Sequence, residues 1–136
     1  MEIVDDFPYP IREIENLFIP MRDGQQLAAR VWLPVTPDAT PFPAIMEYIP
    51  YRKRDVTRGR DASNHPYLAG HGYVCVRVDM RGSGDSDGVL TDEYTQQEQQ
   101  DAVDAIAWLA EQPWCDGHVG MMGISWGGFN SLQVAA

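Results

Sequence analysis

Nowhere does this sequence run apolar for long enough to cross a bilayer as a helix. Its first residues, Met-Glu-Ile-Val-Asp-Asp, lack the basic and apolar regions of an export signal. Both absences point to the cytoplasm. Cysteine is nearly missing. Cys75 and Cys115 stand far apart, in no Cys-x-x-Cys and no metal-ligand spacing, so two reduced structural thiols are expected. Positive charge is scarce as well, with 10 Lys and Arg against 20 Asp and Glu and a net charge of -10. This argues against nucleic acid and anionic membrane surfaces as partners, although an acidic surface does not by itself specify a cationic substrate. There is no internal repeat, no low-complexity segment and no Walker motif. What remains is a chain of 136 residues, 44% apolar and 22% charged, with the size and balance of one globular domain.

Glu13 to Ile19 alternates polar and apolar residues as a half-buried strand does, Asp23-Gly24 makes a tight turn, and Gln26 to Leu33 returns. The chain therefore opens on an antiparallel hairpin, in which turn chemistry accounts for Arg22 and Asp23. A proline-rich loop follows from Pro34 to Pro43, then an apolar strand, Ala44 to Ile49, closed by Pro50. Tyr51 to Ser63 carries five Lys and Arg residues without interleaved aromatics, and reads as a solvated loop. Asn64 caps a short helix with Pro66 in its first turn, running to His71 and ending at Gly72. Tyr73 to Asp79 is a near-continuous apolar strand of the kind buried on both faces in a parallel sheet. Thr95-Gln96-Gln97-Glu98 is a capping box for a long helix, with Ala102, Ala105, Ile106 and Leu109 on one face and Pro113 as its stop. A hairpin followed by alternating strands and helices makes an α/β architecture with a mostly parallel sheet.

The chemistry gathers at the end of the chain. His118 to Ile124 reads as a buried strand, Gly123-Ile124-Ser125-Trp126-Gly127 breaks it abruptly, and Phe129 onward reads as a helix. Strand, Gly-x-Ser-x-Gly, helix is the context of a nucleophile elbow. A serine in a sharp turn at a strand tip has no room for side chains two residues either side. Its hydroxyl stands exposed, and the N–H of Trp126, at the positive end of a new helix, faces the same spot as an oxyanion donor. The bland alternative is an ordinary strand-to-helix turn.

Other candidates are weaker. Gly82-Ser83-Gly84-Asp85-Ser86-Asp87-Gly88 misses the dinucleotide spacing, and a calcium loop counted from Ser83 meets Tyr94 where glutamate is required. A glycine-rich turn beside the active site, without chemistry of its own, fits better. The loop after Ile49 offers no glycine pair as a second oxyanion donor, and Pro50 has no N–H. Tyr51 is either the substitute donor, through its phenol, or a packing residue. Of the three histidines, His118 begins the elbow strand, ~20 Å upstream of Ser125, and His71 precedes another strand at the same wrong edge. Geometry leaves His65 open as a base, but a surface cap histidine is the plainer reading.

Met21-Arg22-Asp23-Gly24, Pro50-Tyr51-Arg52-Lys53, Val78-Asp79-Met80-Arg81-Gly82-Ser83-Gly84, Gln112-Pro113-Trp114-Cys115-Asp116-Gly117 and Val119-Gly120-Met121-Met122-Gly123-Ile124-Ser125 together resemble one family. It is the Xaa-Pro dipeptidyl-peptidase-like serine hydrolases, with their cocaine esterase (CocE/NonD) branch. The resemblance implies an α/β-hydrolase fold and acyl transfer to a serine that maps onto Ser125. It implies an oxyanion hole from the Tyr51 hydroxyl and the Trp126 backbone N–H, with no metal and no organic cofactor. The substrate would be a small ester, amide or peptide. It also implies that residues 1–136 are the N-terminal part of a catalytic domain. The triad Asp and His, a helical cap and a C-terminal β-domain would lie beyond Ala136, and residues 1–136 alone would be inactive. The competing reading is a non-catalytic α/β scaffold or interaction fragment in which Ser125 is a turn residue.

Overall fold

The computed structural model describes residues 6–136, so the acidic start from which the absence of a leader was read lies outside the described residues. The elements run β1 (Ile11–Pro20), β2 (Gln26–Pro34), β3 (Phe42–Ile49), α1 (Arg58–Gly70), β4 (Val74–Asp79), α2 (Gln96–Ala110), β5 (Cys115–Met121) and α3 (Trp126–Ala135). They build one five-stranded sheet of order β1-β2-β4-β3-β5. The hairpin closes as the sequence predicts: β1 and β2 pair antiparallel around Gly24, whose φ of 86° only glycine takes without strain. β2 is antiparallel to β4, whereas β4, β3 and β5 run parallel.

The sheet has two unlike faces because strand side chains alternate. In β4, Val74, Val76 and Val78 join the main core with Ala29, Val31, Met46, and Ala102, Ala105 and Leu109 of α2. The other face meets α1 through Trp32, Cys75 and Ala69 and then turns polar, with Glu47, Arg77 and Asp79 all buried. Arg77 is fully buried, its Nε 3.4 Å from Asp61 and its Nη1 3.4 Å from Asp79. The same Nη1 donates to the carbonyls of Val78 at 2.6 Å and Ile49 at 3.3 Å. Arg60 bridges Glu47 and Asp61 at 2.5 and 2.6 Å. The expectation that β4 is a two-faced apolar strand is therefore corrected: buried on both sides, it is apolar on one only.

Three further expectations change for related reasons. α1 starts at Arg58, not after Asn64, with Pro66 inside it. The Thr57 hydroxyl donates to Asp61 at 2.7 Å, and Arg58 and Arg60 reach Glu15 and Glu47 on neighbouring strands. Those partners, distant in sequence, hold the first two turns helical, and the carbonyl that a non-proline residue 66 would have bonded is the interior proline's cost. The basic stretch is accordingly not one solvated loop, since Lys53 is 2% exposed. β5, expected to be buried, has mostly exposed residues, since among the described residues β3 alone flanks it. α2, in contrast, begins at the predicted capping box: Thr95 accepts from the Glu98 N–H at 3.2 Å. Both cysteines are free and buried, and burial pushes the Cys75 thiol up to about 12. Among the described residues no helix is long and apolar enough to cross a membrane.

Candidate active site

The order of strand addition reverses at β3: β4 is added on one side of it and β5 on the other, all three running parallel. With right-handed crossovers this sends connections to opposite faces and leaves a crevice at the carboxyl ends of β3 and β5, the usual ligand position in open α/β sheets. Ser125 and Tyr51 both leave this edge. One follows β5 and the other β3, and these are adjacent parallel strands ~5 Å apart.

At the end of β5 the Met122 N–H donates to the Met46 carbonyl at 3.0 Å, the last ladder bond before the chain turns. Ser125 then takes φ 55° and ψ -120°, a strained backbone for a residue with a Cβ, and it stands exposed. The flanking glycines serve space rather than φ. A Cβ on Gly123 would sit 2.5 Å from the carbonyl carbon of Gly127, and one on Gly127 would sit 2.8 Å from Ile49 Cγ2. Strand end and helix start pack backbone to backbone, so the strain falls on the serine between them. Trp126 is the first residue of α3, and an N–H at that position has no partner within its helix.

Tyr51 is 37% exposed, and among the described residues its hydroxyl has no hydrogen-bond partner. Its turn is held from three sides. Arg52 adopts φ 49°, the Lys53 N–H donates to Asp79 Oδ1 at 2.8 Å, and the Ser83 hydroxyl donates to the Pro50 carbonyl at 2.6 Å. Lys53 Nζ reaches Asn16 at 2.7 Å and Asp85 at 3.1 Å. The glycine-rich turn thus acts as a brace, and Gly84 is required because a Cβ there would fall 1.9 Å from Asp79 Oδ2. Burial raises the Asp79 carboxyl above its ordinary range, outweighing Lys53 and Arg77. Burial also pulls Glu47 upward, but His65, Arg60 and Arg77 outweigh it and hold Glu47 below its ordinary value.

None of the three histidines approaches Ser125 by its position in the fold. His118 is 85% exposed beside Asp116 at the start of β5, and His71 caps the C-terminus of α1, with Nδ1 2.7 Å from the Tyr67 carbonyl. His65 corrects the surface reading. It is buried inside α1, stacked on Trp32 at 4.7 Å, with Nε2 3.3 Å from Glu47. Glu47, Asp61 and His65 lie close enough together to hold a metal, but the Arg60 guanidinium already bridges both carboxylates.

Two residues at the site were not singled out from the sequence. Tyr94 has φ 60°, and its ring meets Trp126 at 5.5 Å and Phe129 at 5.3 Å. Desolvation, followed by Glu93 and Tyr51, raises its phenol above the ordinary value. Glu98 is visible in the sequence only as the last member of a capping box. In the fold its Oε1 accepts from the Trp126 indole at 2.7 Å and its Oε2 from the Tyr94 N–H at 2.9 Å.

A mixed sheet with helices on both faces and a strained serine at the switch point has the architecture of the α/β-hydrolases. More narrowly, the chain belongs to the X-Pro dipeptidyl-peptidase (S15) family, whose model matches residues 23–136. It is 37% identical over 122 residues to the cocaine esterase of Rhodococcus sp. (strain MB1 Bresler), covering 88% of this chain and 20% of that protein. Among solved structures, it resembles a CocE/NonD family hydrolase from Staphylococcus aureus at 26% identity and a TM-score of 0.80, over 90% of this chain and 25% of that one. An aminopeptidase from a marine sediment archaeon (Thaumarchaeota archaeon) gives 26% identity and a TM-score of 0.68, over 97% of this chain and 24% of the other. The chain therefore spans about a fifth of the length of the curated relatives it matches. The family is one of hydrolases.

Proposed function

We propose that this chain supplies the nucleophile and oxyanion hole of a serine hydrolase acting on ester or amide acyl groups, Xaa-Pro dipeptidyl amides included. The observation that carries the reading is the exposed Ser125 at φ 55° at the carboxyl edge of adjacent parallel strands. Strain of this kind costs on the order of 1–3 kcal/mol, which a merely structural turn would shed by placing glycine there. In the proposed reaction Ser125 Oγ attacks the acyl carbon, and the carbonyl oxygen takes the negative charge. The Trp126 N–H and the Tyr51 O–H donate to that oxygen. The serine proton passes through a base to the leaving alcohol or amine as the acyl bond breaks, and water then releases the acid by the reverse proton path. No histidine among the described residues fills the base's place, so we assign that role to groups outside residues 1–136.

A fluorophosphonate tests this directly. In a polypeptide extended to the length of the relatives, it should label Ser125, one label per chain. Residues 1–136 alone should label far more slowly and show no enzymatic turnover of activated esters. Serine-dependent turnover by the short chain, lost in His65→Ala, would overturn the assignment of the base. In the extended polypeptide, Tyr51→Phe should lower kcat by ~10²–10³ with little change in KM, as expected of one oxyanion donor used mainly in the transition state. An unchanged kcat would return Tyr51 to a packing role.

A further inference from the structure

The reaction just described needs the Trp126 N–H aimed at one point, yet Trp126 follows a strained residue and opens a helix that packs on β3 and α2. Something must hold it. Glu98 is 4% exposed and sits in the first turn of α2, a different element. Its carboxyl is fully engaged: Oε1 accepts from the Trp126 indole Nε1 at 2.7 Å, and Oε2 accepts from the backbone N–H of Tyr94 at 2.9 Å. The Glu98 N–H in turn donates to the Thr95 hydroxyl at 3.2 Å. In an ordinary capping box the glutamate would reach the N-cap's own N–H and end there. Here one oxygen goes to the residue before the cap and the other crosses to the elbow.

We propose that Glu98 is a positioning residue for the oxyanion hole, acting through the Trp126 side chain. The inference rests on the serine-hydrolase reading above. The buried carboxylate fixes the indole and hence the orientation of the Trp126 backbone. It also holds Tyr94 in its left-handed conformation, with its ring against Trp126 and Phe129. One side chain thereby ties the start of α2 to the start of α3. Hydrogen bonds to a charged acceptor are about twice as strong as neutral ones, and a group misplaced by about 1 Å can cost ~10²-fold in rate.

The test uses Glu98→Gln, Trp126→Phe and the double variant in the extended polypeptide, with kcat expressed per serine labelled by a fluorophosphonate so that misfolded material does not count. Gln keeps the volume of Glu but turns an amide NH2 toward one of the two donors. Phe keeps an aromatic ring against Tyr94 but has no indole N–H. Each single variant should lower kcat ~10-fold with KM within about twofold, and the double variant should fall no further than the worse single. A role in fold stability alone would lower the labelled fraction and Tm while leaving kcat per labelled serine unchanged, and that result would overturn the proposal. Additive losses would do the same, since they would mean the two side chains act separately. If Glu98→Gln does not fold, Trp126→Phe decides the matter, because a normal kcat without the indole N–H excludes the proposed route. Ser125→Ala is the control: turnover surviving in it would remove the underlying hydrolase reading instead.

Discussion

Ser125→Ala, made in the extended polypeptide, is expected to lower turnover by roughly 10⁴- to 10⁶-fold and to abolish covalent labelling. The fold should be unaffected, for a specific reason. Ser125 sits at φ 55°, and alanine brings the same Cβ to that backbone, so the strain is neither relieved nor increased. The change removes only an exposed hydroxyl. Gly123 and Gly127 continue to pack against each other and against Ile49, and Trp126 still opens α3. Circular dichroism and Tm therefore serve as controls that should not move. Full labelling of the alanine variant would mean that another nucleophile does the chemistry, and the elbow would then be a structural turn.

Arg77→Leu should be the most damaging substitution outside the elbow, with a stability loss of about 3–5 kcal/mol in urea unfolding. Arg77 is fully buried between Asp61 and Asp79 and donates to two carbonyls at the end of the sheet. Leucine would take the guanidinium from between two buried carboxylates, leaving Asp61 with Arg60 and the Thr57 hydroxyl, and Asp79 with the Lys53 N–H. The loss should depend on pH, and its sign follows from Asp79. Burial raises that carboxyl in the folded state, so the native chain holds the proton more tightly than the unfolded chain. Its contribution favours folding below the unfolded value and is lost as pH rises through the folded one. Removing the Arg77 charge pushes Asp79 further in the same direction. The deficit of the variant should thus be smaller near pH 4 and grow toward pH 7. A loss under about 1 kcal/mol, unchanged across that range, would mean that water reaches this layer and screens it.

The same layer explains what could be read from the chain and what could not. The hairpin was legible because its information is local: a period of two on each side of Asp23-Gly24, and a glycine at positive φ. The start of α2 was legible because a capping box spans four residues. The strand-to-helix turn around Ser125 was legible too, since close backbone approach forces glycine into both flanking positions. The start of α1 was hidden. Its first turns are held by Glu15 and Glu47, whose partnership with Arg58 and Arg60 exists only once the strands are assembled.

His65 looked like a surface cap because the helix was expected to begin beside it at Asn64, and it is buried because Trp32 and Glu47 arrive from β2 and β3. Glu98 shows the limit most clearly. By itself the sequence marked this glutamate as the last residue of a capping box, and half of that box forms, the Glu98 N–H donating to Thr95. Only the tertiary structure decided that its carboxyl meets the Tyr94 N–H and the indole of Trp126, 28 residues further on, because the latter meeting depends on α2 and α3 packing together.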